Sequence, residues 1–144
     1  MALVGGGTGG AGNVAGSNPS GIGAGLVYAG NGIWAGWSGL VDPNNTSQEA
    51  FNFKSPLLPL TANITWTCNL IELTANRAVG IEVKLNGEVI MHHIGQITAN
   101  GDFPGSFPNN IGPFVIPSDS EIVVTISTTE DTAVDQYVTI EGRE

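Results

Sequence analysis

From Gly80 to Leu85 apolar and charged side chains alternate, with Ile81, Val83 and Leu85 set against Glu82 and Lys84. A two-residue period sorts side chains onto opposite faces of a strand, one buried and one wet. Asn86-Gly87 follows, and then Glu88-Val89-Ile90-Met91. Asn-Gly between two such runs predicts a type I′ hairpin, because both central residues must take positive φ. Alternation returns from Glu121 to Ser127, with Ile122, Val124 and Ile126 inward, and from Gln136 to Glu141 through Tyr137, Val138 and Ile140. Asn63 to Glu72 (NITWTCNLIE) is rich in the β-branched and aromatic residues that suit strands. Phe114 to Ile116 predicts a short strand stopped by Pro117. No stretch carries a capped 3.6-residue apolar period. The pattern predicts an all-β chain of roughly eight short strands, and closed or double-sheet forms best protect their edges.

The chain divides near Asp42. Residues 2–41 contain no Asp, Glu, Lys, Arg or His and hold 14 of the 21 glycines. The opening run from Gly5 to Gly12 offers too little apolar surface to offset its backbone entropy. The division is therefore a Gly-rich, uncharged N-terminal arm, 1–41, and a β-sandwich domain, 42–144. From Gly25 to Leu40 the arm changes character, with Leu26, Val27, Tyr28, Ile33, Trp34 and Trp37 among the glycines. Each aromatic can bury ~150–250 Å², so this segment either folds back on its own domain or docks on a neighbour. The stretch from Ile97 to Pro113 reads as a long loop carrying Phe103 and Phe107, each followed by Pro. Loops of that length are usually functional or mobile. The two readings are an interaction loop and a surface loop that packs its own rings.

A length of 144 residues suits one domain, and 41% hydrophobic residues suffice for its core. The net charge is −9, from 13 acidic and four basic residues. Nucleic-acid binding needs Lys and Arg to neutralise phosphates, and only Lys54, Arg77, Lys84 and Arg143 are present, widely separated. DNA, RNA and anionic membrane surfaces are therefore rejected as primary partners. No basic region followed by an apolar run opens the chain, and no long uninterrupted apolar run suggests a spanning helix. Cys68, the single cysteine, lies in a strand-like run and reads as a small buried residue.

Candidate chemistry is thin. Gly5 to Gly10 satisfies G-x-G-x-x-G literally, but only Met1 to Val4 precede it and the first acid is Asp42. The dinucleotide fingerprint needs a strand before it, a helix after it and an acid about 20 positions on. His92 and His93 are adjacent, and on a strand they face opposite sides, so they do not share a metal. Glu130, Asp131 and Asp135 match no EF-hand spacing and read as a solvated turn. No base stands in a recognisable relation to a Ser or Cys nucleophile. The expectation is a protein without catalysis, cofactor or metal.

The run Phe114-Val115-Ile116-Pro117-Ser118-Asp119-Ser120-Glu121-Ile122-Val123-Val124-Thr125-Ile126 joins two strands through an IPSDS turn. It leads through a polar turn to Tyr137-Val138-Thr139-Ile140-Glu141-Gly142, and the Asn-Gly hairpin of Arg77 to His93 precedes it. This order resembles the later strands of small viral jelly rolls, such as capsid-decorating (cement) and minor capsid proteins of tailed phages. The resemblance implies a jelly-roll-like antiparallel sandwich on a virion, bound to the major capsid protein or other virion subunits. It also implies a homo-oligomer, a trimer by preference, with the N-terminal arm on the shell. Receptor- and carbohydrate-binding sandwiches of phage fibres share the pattern and give the alternative reading. The residues expected to make contacts are Tyr28, Trp34, Trp37, Phe103 and Phe107.

Overall fold

The computed structural model describes residues 25–41, 43–69, 74, 76–96 and 106–144, and for Gln96 and residues 106–109 the backbone alone. Regular structure among them is all strand: β1 (Val27–Gly30), β2 (Ile33–Trp37), β3 (Ser47–Lys54), β4 (Leu60–Asn69), β5 (Ala78–Leu85), β6 (Glu88–Gln96), β7 (Ser106–Ile116), β8 (Glu121–Thr128) and β9 (Gln136–Arg143). They form a five-stranded sheet, β1-β2-β9-β4-β7, and a four-stranded sheet, β3-β8-β5-β6. Every pairing is antiparallel.

The pairings nest. β5 pairs with β6, β4 with β7, β3 with β8 and β2 with β9. From β2 to β9 the chain is one long hairpin, four strands out and four back, with successive pairs falling in alternate sheets. Its tip is the Asn86-Gly87 turn, where φ is 50° and 86°, as a type I′ turn requires. Asn86 also locks the tip onto β8: its amide donates to the Glu121 carbonyl at 2.8 Å, and its side-chain oxygen accepts from the Glu121 amide at 2.9 Å.

Alternation builds the core. β4, β8 and β9 each bury every second residue, so Ile64, Trp66, Ile122, Val124, Ile126, Val138 and Ile140 meet between the sheets. On β3 an extra residue at Ala50 shifts the register and buries Ala50 and Phe51 in succession. Phe51 stands edge-on to Phe53, with ring centroids 6.3 Å apart. One polar relay crosses the interior. The Trp66 indole N–H donates to Gln136 Oε1 at 2.9 Å, and Gln136 Nε2 donates to the Ser127 carbonyl on the facing sheet at 3.2 Å. Gln136 is fully buried, and these partners offset the cost of desolvating its amide.

Three sequence expectations change. The first is the boundary at residue 41. Residues 25–41 belong to the sandwich: β2 pairs with β9 from Ile33↔Arg143 to Trp37↔Thr139, and Leu26, Trp34 and Val41 lie in the core. The physical reason is a second Asn-Gly turn, Asn31-Gly32 (φ 52° and 72°), which folds β1 back on β2. Residues 1–24, the most Gly-rich part of the expected arm, lie outside the described residues. The second change concerns the expected loop 97–113. Its latter part is strand, since β7 begins at Ser106 and pairs with β4 along its length. β7 absorbs an irregularity at Gly112-Pro113, where two residues stand opposite Asn63. Gly112 has φ 124°, and a Cβ there would lie 2.8 Å from the Ala62 carbonyl oxygen. The third is β3, a strand that the alternation search passes over.

Candidate interaction surfaces

The outer face of the five-stranded sheet is built by parity. On β2, Trp34 and Gly36 point inward, which turns Ile33, Ala35 and Trp37 outward. On β9 the outward set is Tyr137, Thr139, Glu141 and Arg143, and on β4 it is Thr61, Asn63, Thr65, Thr67 and Asn69. Register aligns Trp37 with Thr139, Thr139 with Thr65, and Thr65 with Asn110, so one row crosses four strands without a charge. Trp37 is 63% exposed at the end of that row. An indole left this open is costly in water unless something covers it. Val27 and Leu40, both more than half exposed, adjoin β2. Glu141 and Arg143, the charges β9 brings to this face, pair with each other at 3.6 Å.

The expected contact residues separate. Trp37 is exposed, as an anchor must be. Trp34 is not, because its ring is buried in the core and its indole N–H donates to Glu144 Oε1 at 2.9 Å. Tyr28 is 45% exposed but leans on Trp34 at 5.1 Å, and its hydroxyl accepts from the Gly32 amide at 3.0 Å. It therefore braces the β1–β2 turn while remaining partly exposed. Phe107 lies on β7 opposite Cys68, and its side chain is outside the described residues, as is the whole of Phe103.

The other sheet presents a long edge. Among the described residues β6 has β5 on one side and no strand on the other. It carries exposed Val89, Ile90 and Ile94 beside exposed His92 and His93. The apolar run after the Asn-Gly turn marks the start of this strand in the sequence, and β6 continues to Gln96. His92 stands beside Glu82 and His93 beside Ile81, on opposite faces of the sheet as strand parity predicts. Among the described residues no three His, Cys, Asp or Glu side chains are grouped to hold a metal.

The acidic turn before β9 departs from the solvated reading at one residue. Glu130 is buried. Its Oε2 accepts from the Thr74 amide and hydroxyl, both at 2.8 Å, and its Oε1 accepts from the Asp131 amide at 3.1 Å. The Thr74 hydrogen bonds hold its carboxyl below the ordinary carboxylate range, against the opposing effect of burial, and Arg77 adds a smaller pull in the same direction. Asp131 does lie in solvent, paired with Arg77 at 2.9 Å. Glu130 thus fastens Thr74 to the β8–β9 turn. Cys68 is buried in β4, as its strand-like neighbours suggested. Among the described residues no helix is long and apolar enough to cross a membrane.

The chain matches no protein-family model, and no curated protein matches it in sequence.

Proposed function

We propose that the chain is a virion structural protein, a jelly-roll subunit that binds a capsid shell and stabilises it without catalysis. The carrying observation is the nested pairing of β2·β9, β3·β8, β4·β7 and β5·β6 across two sheets. A long hairpin nested in this way supports the jelly-roll reading. The uncharged row ending at Trp37 supports a docking role, since a partner can cover it without desolvating a charge. Residues 2–24, which carry no charged side chain, would also contact the shell.

The test uses particles purified from the source of the gene and shells lacking this protein. The full chain is expected among the particle proteins and should bind the shells saturably. Trp37→Ser should weaken that binding by at least ~30-fold, the effect of losing an anchor worth about 2 kcal/mol. Its unfolding midpoint should stay unchanged, because the side chain is exposed. Absence from the particles, or binding indifferent to Trp37, overturns the proposal.

A second reading rests on the same indole. Thr139, Thr65 and Asn110 place hydroxyl and amide groups along the row from Trp37, an arrangement that suits a sugar ring stacked on the indole. Glycan-array binding abolished by Trp37→Ser, together with a location at a fibre tip, would favour the receptor-binding module.

A further inference from the structure

Among the described residues the two sheets have four edge strands, and three are blunted. β1 has four residues. β7 carries Pro108 and Pro113, which cannot donate to a ladder. β3 is bulged at Ala50 and carries Glu49 and Lys54. β6 is nine residues long, and from Val89 to Gln96 it contains no Pro, Asp, Glu, Lys or Arg. Its exposed aliphatics are Val89 at 51%, Ile90 at 41% and Ile94 at 64%. A bulge between Val83 and Lys84 kinks it only near Ile90, leaving Met91 to Gln96 in regular register with β5. An open edge of this kind invites strand addition.

We infer that β6 pairs antiparallel with β6 of a second copy of this chain, about a two-fold axis at His92, joining two four-stranded sheets into one. The sequence is self-complementary in that register. Ile90 falls opposite the partner's Ile94, Met91 opposite the partner's His93, and His92 opposite its own counterpart. Glu88, the only carboxylate on the strand, meets the neutral Gln96. Ile94 stands on the same side of β6 as His92, and exposed Ile90, the extra residue of the bulge, flanks His92 on its other side, so an aliphatic pair forms on each side of the axis. Charge permits pairing at this edge, because copies of a chain carrying −9 repel and must meet where acids are sparse, and Glu88 is the one acid on β6. Strands of this length bury less than a standard interface, so the pair forms as concentration rises and gains strength when many copies are held close together. The inference stands apart from the capsid reading, since copies pair in solution whether or not a shell binds them.

The test is sedimentation of the full chain across micromolar to millimolar concentration. The expected result is a monomer passing to twice its mass. Ile90→Lys with Ile94→Lys should remain monomeric throughout, with unchanged far-ultraviolet circular dichroism, because both side chains are already exposed. His92→Cys should cross-link to itself on mild oxidation, since directly opposed residues lie within disulfide reach. Thr139→Cys, exposed on the other sheet, should not. A monomer at every concentration, a limiting mass of three chains, association that survives the double Lys substitution, or equal cross-linking by the two Cys variants overturns the inference. Trp37→Ser leaves this pairing intact, so its failure and that of shell docking are read separately.

Discussion

Removing residues 1–41 asks whether β1 and β2 belong to the folding unit. The truncation takes Leu26, Trp34 and Val41 out of the core and strips the five-residue ladder from β9. Full burial of an aliphatic side chain contributes about 1.5–3 kcal/mol. Losing a buried Trp costs about 3–5 kcal/mol. The three together amount to about 6–11 kcal/mol, before counting the exposed edge of β9. Whole-domain stabilities are about 5–15 kcal/mol, so the truncated chain should be unfolded or nearly so. Trp66 remains in residues 42–144 and reports unfolding by fluorescence in a urea titration alongside circular dichroism. With urea slopes of about 1–3 kcal/mol per molar, the loss corresponds to a midpoint shift of several molar or to no cooperative transition. Trp34→Ala in the full chain should account for about 3–5 kcal/mol of it. If residues 42–144 unfold cooperatively within about 2 kcal/mol of the full chain, β1 and β2 are an appendage and the reasoning fails.

Gly36→Ala should destabilise by about 1–3 kcal/mol through overpacking, because the new Cβ would lie 2.8 Å from Phe51 Cε1 and 2.9 Å from the Gly25 carbonyl oxygen. Phe51→Leu in the same chain should recover part of that loss in a double-mutant cycle, and strict additivity would refute the contact. Glu130→Ala should cost about 1.5–3 kcal/mol at pH 7, since the Thr74 and Asp131 donors lose a charged acceptor. Glu130 has its folded pKa lowered, so its contribution is present above the ordinary carboxylate range and fades as pH falls through the folded value. The gap between wild type and Glu130→Ala should therefore narrow below about pH 4, and urea midpoints that stay equally far apart from pH 7 to pH 3 would refute the assignment.

Strands with strict alternation were legible because parity alone separates wet from buried. β5, β8 and β9 lie within two residues of where Ile81, Ile122 and Val138 predict them. β3 was not legible, because its bulge places Ala50, Phe51, Asn52 and Phe53 in one buried run and erases the period. β7 was hidden by its two prolines and by Gly112, which mark loops in most contexts and here sit on an edge strand and a bulge. Asn31-Gly32 was the missed signal for β1 and β2. It is the same dipeptide that located the β5–β6 turn, but glycine-rich flanks masked the strands on either side.

The surfaces were less legible than the fold, and the two N-terminal tryptophans show why. As sequence they look like a pair, Trp34 and Trp37, suited to anchor a flexible arm together. Once the segment is a strand, a spacing of three residues is odd, and odd spacing sends the two rings to opposite faces. Trp34 closes the core over Glu144, and Trp37 emerges on the uncharged outer row. An anchor made of both rings is thus incompatible with β2 pairing to β9. The same parity operates on β6 beyond its bulge, where His92 and Ile94 share a face and Met91 turns toward the core. Exposure follows from strand membership and residue parity, so a reading that leaves 25–41 outside the sandwich cannot tell which aromatic is free to meet a partner. Docking should therefore respond to Trp37 substitutions and folding to Trp34 substitutions, and a variant that exchanged those two effects would count against the β2–β9 register itself.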